Sequence, residues 1–449
     1  MTLADELISD LSRMVAIPSV GALEEHHKDL TTSAELIAHL LTDAGCPDVQ
    51  LLDGPAAPAI IAHFPAPAGM PTICFYAHHD VQPVGDPDDW VDDPWVLARH
   101  GDRLFGRGAA DDKGGVACHL AMLRAFNGQP PVGVTIFVEG EEEIGSPHID
   151  QFIEEHRQDL AADAYVILDA GNLSVGRPAF TTALRGVCDL IVEVKTLDHA
   201  LHSGQFGGVV PDALTTLCRL LATLHTANGD VAVDGLTVTG HFDVDYSAQA
   251  IREEAGLLDG VEQIGSGTIA DRLWAKPSLT VIGMDAVSVE QASNTLSPQA
   301  RAKISLRVPP GMSAITAQQA LADHCRRHVD WGAQVDIVLG SAGNPGEVDV
   351  DGPIVAAGMA AYRTAFGCQP VLIGQGGAIP LVGELHRAFP QAEFLVTGIA
   401  DPDSRMHAPN ESVSASDLKK TVQAQILLLN SLAELPRRSE SAAETMETI

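Results

Sequence analysis

The sequence predicts an α/β protein: a mostly parallel sheet covered by helices on both faces, with an α+β unit inserted between two parts of it. Three observations carry this reading. Stretches with helical apolar spacing alternate with short apolar runs over the first two-fifths of the chain, and again from Ile354 onward. Between these parts the elements follow the order βαββαβ. The chain has 449 residues, enough for two hydrophobic cores.

The elements follow in order. Leu3 to Ile17 has helical spacing and stops before Pro18, and Thr32 to Ala44 repeats the pattern up to Gly45, a residue suited to the left-handed turn past a helix end. Ala59 to His63 and Thr72 to Tyr76 are short apolar runs and read as strands. Lys113 to Phe126 is a helix closing near Gly128, followed by strands Val132 to Val138 and Ala164 to Leu168. Alternation of this kind builds a largely parallel sheet, whose sites form beyond the carboxyl ends of its strands.

The inserted unit starts near Arg185. Strands are expected at Val187 to Lys195, Ser278 to Gly283, Ala300 to Val308 and Gln334 to Leu339. Helices are expected at Pro211 to His225, with proline in the first turn, and at Ala314 to Val329. This order predicts a ferredoxin-like split sheet, with an acidic insertion of low regularity from about Asn228 to Lys276. The α/β pattern resumes with helix Ile354 to Phe366, strand Glu393 to Thr397 and helix Ala415 to Leu432. The expected domains are therefore 1–185 with 341–435, and 186–340 inserted between them. The polar tail from Pro436 to Ile449 reads as disordered.

Composition narrows the function classes. The net charge is −33, with 27 basic against 60 acidic side chains, which repels a nucleic acid. No run of about 18 apolar residues marks a membrane span. The acidic start Met1-Thr2-Leu3-Ala4-Asp5-Glu6 has neither the basic nor the apolar region of an export signal, so a reducing cytoplasm is the expected compartment. Of the seven cysteines, Cys74, Cys118, Cys188 and Cys218 lie in apolar periodic stretches and read as buried free thiols.

Hard metal-ligand residues recur just past the apolar runs. They are His78-His79-Asp80, Asp111-Asp112 after Gly106-Arg107-Gly108, Glu141-Glu142-Glu143 before Gly145, Asp169 after Leu168, and His407 in Arg405-Met406-His407-Ala408-Pro409-Asn410-Glu411. Each has an ordinary explanation alone: a strand-end hydrogen bond, helix capping with Lys113 as counter-charge, a solvated charge run, a turn, an exposed loop. Mixed imidazoles and carboxylates in one chain suit divalent ions of the zinc, manganese or cobalt type. On an extended backbone His78 and Asp80 would face one side, so the carboxylate can hold the ring. The adjacent glutamates, with alternating side-chain directions, can divide ligand and base roles between them. His79 is either a decoy ligand or a packed core residue.

Taken together, these motifs resemble the co-catalytic dinuclear metallopeptidase family of carnosinase-like cytosolic dipeptidases, carboxypeptidase G, succinyl-diaminopimelate desuccinylase and acetylornithine deacetylase. The resemblance runs in order over nearly the whole chain. It implies a zinc-peptidase-like catalytic domain and an inserted lid or dimerisation domain, hence a homodimer. It implies two divalent ions per chain, zinc first on ligand type, with manganese or cobalt accepting the same donors. His78 and Asp169 would hold one ion, Glu143 and His407 the other, and Asp111 would bridge them. Asp80 would orient His78, and Glu142 would be the general base toward a metal-bridging hydroxide. The family also has a cis peptide after the bridging aspartate, here Asp111–Asp112.

Further family matches lie downstream. His202, in His202-Ser203-Gly204-Gln205-Phe206-Gly207-Gly208, would polarise the scissile carbonyl, often in the partner subunit's site. Arg307 matches a substrate-carboxylate arginine, Asn294 a further polar contact, and Gly376-Gly377 a turn beside that carboxylate. The Gly374-Gln375-Gly376-Gly377 run lacks the Lys-Ser/Thr of a phosphate loop. The loop Asp401-Pro402-Asp403-Ser404-Arg405, Gly106-Arg107-Gly108 and the long insertion favour the dipeptidase branch, with a small peptide as substrate. The same site in an N-acyl-amino-acid deacylase or N-carbamoyl amino acid hydrolase is the alternative, with an N-acyl amino acid as substrate.

Overall fold

The computed structural model describes residues 2–236, 240–376 and 380–434. The chain folds into two compact units. Among the described residues, one holds 2–182, Val348–Leu372 and 380–434, and the other holds Ala183–Glu347 with 373–376.

In the first unit, strands Asp48–Leu52, Ala59–Phe64, Gly133–Glu139, Thr72–His78, Ala164–Gly171 and Glu393–Ala400 lie side by side in that order. The last four run parallel, and the first two join antiparallel at one edge. Strands buried on both faces need apolar side chains at consecutive positions. Ile73, Cys74, Phe75, Tyr76 and Ala77 are all fully buried. Helices Leu3–Val15, His27–Asp43, Lys113–Ala125, Pro353–Phe366 and Ala415–Ala433 supply the covering faces. The first of them starts in a reciprocal cap between Thr2 and Asp5. None of the described helices is long and apolar enough to cross a membrane.

Parallel pairing places the carboxyl ends of the three middle strands together. The register sets His78 opposite Glu139, and Tyr76 opposite Ile167, so the residues that follow converge at one end of the sheet. The apolar run marks the middle strand only as far as Tyr76, whereas pairing carries it to His78. Some short elements have no periodic signal in the sequence: strands Asp48–Leu52, Ala98–His100 and Arg103–Phe105, and helix Ile149–Glu155.

In the second unit, strands Ser278–Asp285, Gln299–Val308, Gly186–Lys195 and Gln334–Gly343 form an antiparallel sheet in that order. Helices Ala213–Ala222 and Ala314–His328 pack on it through a core that includes Leu190, Val192, Leu217, Ile304 and Leu321. This is the ferredoxin-like order. Pro211 lies outside the first helical turn, because Asp212 caps the helix through Thr215 N–H. The insertion after Asn228 is more regular than expected, with helices Ala248–Glu254 and Ile269–Trp274. Cys74, Cys118 and Cys188 are buried, but Cys218 is exposed, on the outer side of its amphipathic helix. The tail from Pro436 lies outside the described residues.

One buried histidine of the first unit links packing to pH. His119 is fully buried; its Nε2–H donates to the Tyr76 carbonyl at 3.1 Å, and its Nδ1 accepts from Gln425 Nε2 at 3.2 Å. Burial pushes its pKa down to about 4. The folded state binds this proton more weakly than the unfolded chain. The stabilising contribution is therefore complete above the unfolded value of about 6.5 and is lost as pH falls toward 4. The loss is about 3 kcal/mol. Denaturant titrations should show stability falling less steeply between these pH values in His119→Gln than in the parent chain. Equal slopes would assign the acid sensitivity elsewhere.

Candidate functional site

The polar groups beyond the strand ends form one linked cluster. His78 is fully buried at the end of its strand, and its Nε2 lies 3.0 Å from Asp111 Oδ1 and 3.7 Å from Asp169 Oδ1. Asp111 faces the other way as well: its Oδ2 lies 3.0 Å from His407 Nε2, which is 3.3 Å from Glu143 Oε2. Two groups result, His78 with Asp111 and Asp169, and Asp111 with Glu143 and His407. In each, the ligand atoms lie within 4.8 Å of one another. Asp111 is common to both.

Electrostatics ties the groups together. Burial works against charge on His78, yet hydrogen bonds to Asp111, Asp169 and Asp80 hold its imidazole well above the usual histidine range. Hydrogen bonds to Asp111 and Glu143 push His407 up to about 10. Asp111, against the upward pull of burial, is held low by the two imidazoles. Burial, with the charge of Asp169 added, pushes Asp169's neighbour Glu142 up to about 9, and burial pushes Asp169 itself up to about 6. Glu142 is in neither ligand group.

Several expected roles look different in three dimensions. His78 Nδ1 is closer to the Asp80 main-chain carbonyl, at 3.0 Å, than to the Asp80 carboxylate, at 3.4 Å. The other carboxylate oxygen of Asp80 accepts from Glu143 N–H at 3.0 Å, so Asp80 ties two ligand segments together. Glu142 and Glu143 sit in a 3-10 turn, Glu142–Ile144, so strand alternation does not separate their directions. Glu141 takes neither role: its carboxylate accepts from Ala56 and Ala57 N–H and pairs with His148. Lys113 is not a counter-charge to the aspartates beside it. Its ammonium donates to the Met14 and Ile17 carbonyls, and burial pushes its pKa down to about 7. His79 is packed, with Nε2 2.8 Å from the Pro58 carbonyl. The Asp111–Asp112 peptide is cis.

Two residues without an assigned role hold the site together. The buried Glu411 carboxylate accepts from Arg107 Nη1 at 2.7 Å and from the N–H groups of Gly108, Ala110 and Asp111 at 2.9, 2.8 and 3.1 Å. It shapes the loop that presents Asp111. Gln82 Nε2 donates to Glu143 Oε2 at 2.7 Å. An acid four residues after His407 was the available signal for Glu411, and nothing in the spacing singled out Gln82.

The remaining candidates belong to the second unit. His202 is exposed, and its Nδ1 accepts from Gly204 N–H at 3.0 Å. Arg307 is half-buried on strand Gln299–Val308, and Asn294 is exposed with its carbonyl accepting from Ser203 N–H. Gly376 follows strand Val371–Gln375, while Gly377 lies outside the described residues.

A family model described as Peptidase family M20/M25/M40 matches residues 74–431, a stretch that begins in the His78 strand and includes both ligand groups. The chain belongs to this peptidase family. It is 33% identical over 428 residues to a cysteinylglycine-S-conjugate dipeptidase of Corynebacterium striatum, with 94% of each chain covered. It is 29% identical over 449 residues to a beta-Ala-His dipeptidase of Rattus norvegicus, covering 91% of this chain and 89% of that one. The crystal structure of human carnosine dipeptidase 1 has a similar fold, with a TM-score of 0.80 at 26% identity, covering 96% of this chain and 97% of that one.

The side chains present in this peptidase fit divalent cations. The donor set mixes imidazole nitrogens with carboxylate oxygens, which suits borderline to hard ions. Glu142, Glu143, Asp111 and Asp169 crowd together, and the cations that face them in the structure are the two imidazoles. An ion in each group would replace that proton-borne charge with a stronger one.

Proposed function

We propose that this chain is a metal-dependent dipeptidase that hydrolyses the amide bond of dipeptides or short peptides. The observation that carries the reading is the sharing of Asp111 between two ligand groups, with Glu142 beside them and in neither. His78 and Asp169 would hold one divalent ion, Glu143 and His407 the other, with Asp111 between. Zinc is the first choice, and manganese or cobalt is compatible with the same donors. Bound there, the ions supply Lewis acidity and bring the pKa of a water toward about 7.

The chain's own groups do the rest. Glu142 takes the proton of the attacking water on a carboxylate oxygen and returns it to the departing nitrogen. It can do so because it stands outside both ligand groups and so is not tied up as a ligand. His202 would donate to the oxyanion that develops on the scissile carbonyl. Arg307 and Asn294, with the turn at Gly376, would receive the carboxylate end of the peptide. The domain assignment that goes with this is a catalytic unit and an inserted one. The inserted unit is the place for a homodimer contact, since its edge strand Ser278–Asp285 exposes Val281, Ile282 and Met284. The seven free cysteines suit a reducing cytoplasm.

A substrate panel tests the reading. Metal-stripped protein, reloaded separately with zinc, manganese and cobalt, is offered Cys-Gly, its S-conjugates, β-Ala-His, other dipeptides, and N-acetyl, N-succinyl and N-carbamoyl amino acids. Dipeptides should be cleaved only after reloading, and the N-acylated amino acids left intact. Turnover confined to the N-acylated or N-carbamoyl compounds would replace the dipeptidase by a deacylase or carbamoylase.

A further inference from the structure

Arg103 has no role in the site as described, yet it grips both roots of the loop that carries His407. That loop leaves strand Glu393–Ala400 at Asp401 and returns at strand Ser412–Ser414, which pairs antiparallel with Arg103–Phe105. At the outgoing root, Arg103 Nη1 donates to both carboxylate oxygens of Asp401 at 3.0 Å, and Nη2 donates to Ser404 Oγ at 3.3 Å. At the returning root, Nε donates to Ser412 Oγ at 2.8 Å, and Nη2 to the Ser412 carbonyl at 2.7 Å. Every nitrogen of the guanidinium is engaged with one root or the other. Asp401 and Ser404, both buried, also close on each other: Asp401 N–H donates to Ser404 Oγ, and Ser404 N–H to the Asp401 carbonyl. Bracing the small sheet accounts for the bonds to Ser412 alone. It leaves those to Asp401 and Ser404 unexplained.

Between the roots the loop needs such a grip. Arg405, His407 and Asn410 have φ values of 53°, 63° and 64°, in the left-handed region. Residues other than glycine keep that conformation where surrounding contacts hold them in it. The His407 side chain is 56% exposed, so burial does little to fix it, whereas that of His78 is 0% exposed at the end of its strand. The two ligand groups therefore rest on different supports. His78 and Asp169 project from paired strands of the central sheet. Glu143 and His407 project from a 3-10 turn and from this loop.

We propose that Arg103 is a positioning residue for His407: it fixes the roots of the 401–412 loop and so sets the affinity of the ion held by Glu143 and His407. The ion held by His78 and Asp169 does not depend on it. This rests on the two-ion reading above and not on the choice of substrate. A guanidinium fork spans Asp401 and Ser412 at once, which the single ammonium of a lysine cannot reproduce. Groups that orient a metal ligand from behind contribute about 10- to 100-fold to metal affinity.

The test titrates the metal-stripped full chain with zinc against a competing chelator. The variants are Arg103→Gln, Arg103→Lys, and Arg103→Gln combined with Asp401→Asn. The combined variant leaves no buried carboxylate without its partner, and it stands in where Arg103→Gln alone does not fold. The parent should take up two ions. The Gln variants should bind one ion as the parent does and the other about 10- to 100-fold more weakly, with Arg103→Lys between. A His407→Ala background identifies the weakened ion: adding the Gln change there should leave the remaining ion's affinity as it was. Equal weakening of both ions, or parental binding of both, would make Arg103 a brace of the fold and overturn the proposal. Further weakening of the remaining ion in the His407→Ala background would overturn it as well. In each of these cases a parent chain that binds two ions keeps the two-ion reading. A parent chain that takes up fewer than two removes that reading and this inference with it.

Discussion

Glu142→Gln should lower dipeptide turnover by about 10²- to 10⁴-fold, the range expected for losing a general base, while the protein keeps its metal. The amide has nearly the volume of the carboxyl, so packing in the Glu142–Ile144 turn is preserved. It cannot accept a proton from water or return one to the leaving nitrogen. Glu142 stands outside both ligand groups, which is why metal content should survive. Kinetics on the reloaded variant, with metal counted by atomic emission, separates the two effects. Normal turnover would remove Glu142 from the base role. Lost turnover with lost metal would make it a ligand instead.

Glu411→Ala should be the most damaging single change to the scaffold of the site. The carboxylate pairs with Arg107, whose side chain is 2% exposed, and satisfies three backbone N–H groups of the loop that ends in Asp111. Removing it strands a buried guanidinium and unsatisfied donors together. Breaking a buried pair in this way costs about 3–5 kcal/mol. Stability should fall by that order, and metal affinity with it, because Asp111 is shared by both ligand groups. Glu411→Gln should be milder in packing but still defective, since its NH₂ would face donors. Denaturant unfolding alongside metal titration provides the measurement. A variant with parental stability and parental metal content would show that the loop holds its shape without Glu411.

Much of the fold was legible because burial writes itself as periodicity. From Ile73 to Ala77 every position is buried because both faces of the strand are covered, and Gly186–Lys195 alternates because one face is covered. The failures are local and have physical causes. Pro211 suggested a helix start, but the Asp212 cap moved the start two residues on. Cys218 lies in an apolar helix yet points outward, a matter of helix phase within a short segment. Lys113 stands beside two aspartates in sequence, while its long side chain runs to the carbonyls of Met14 and Ile17.

By itself, the sequence determined which residue types stand at the strand ends and in what order, and that was enough for the fold class and for the set of candidate ligands. Residue chemistry and spacing are local properties, and so they are visible along the chain. Only the tertiary structure decided which of these groups meet. Asp111 and Glu411 are 300 positions apart, and Asp111 and His407 are 296 apart. Their contact depends on parallel strands that deliver separate loops to one end of a sheet, and no local pattern encodes that convergence.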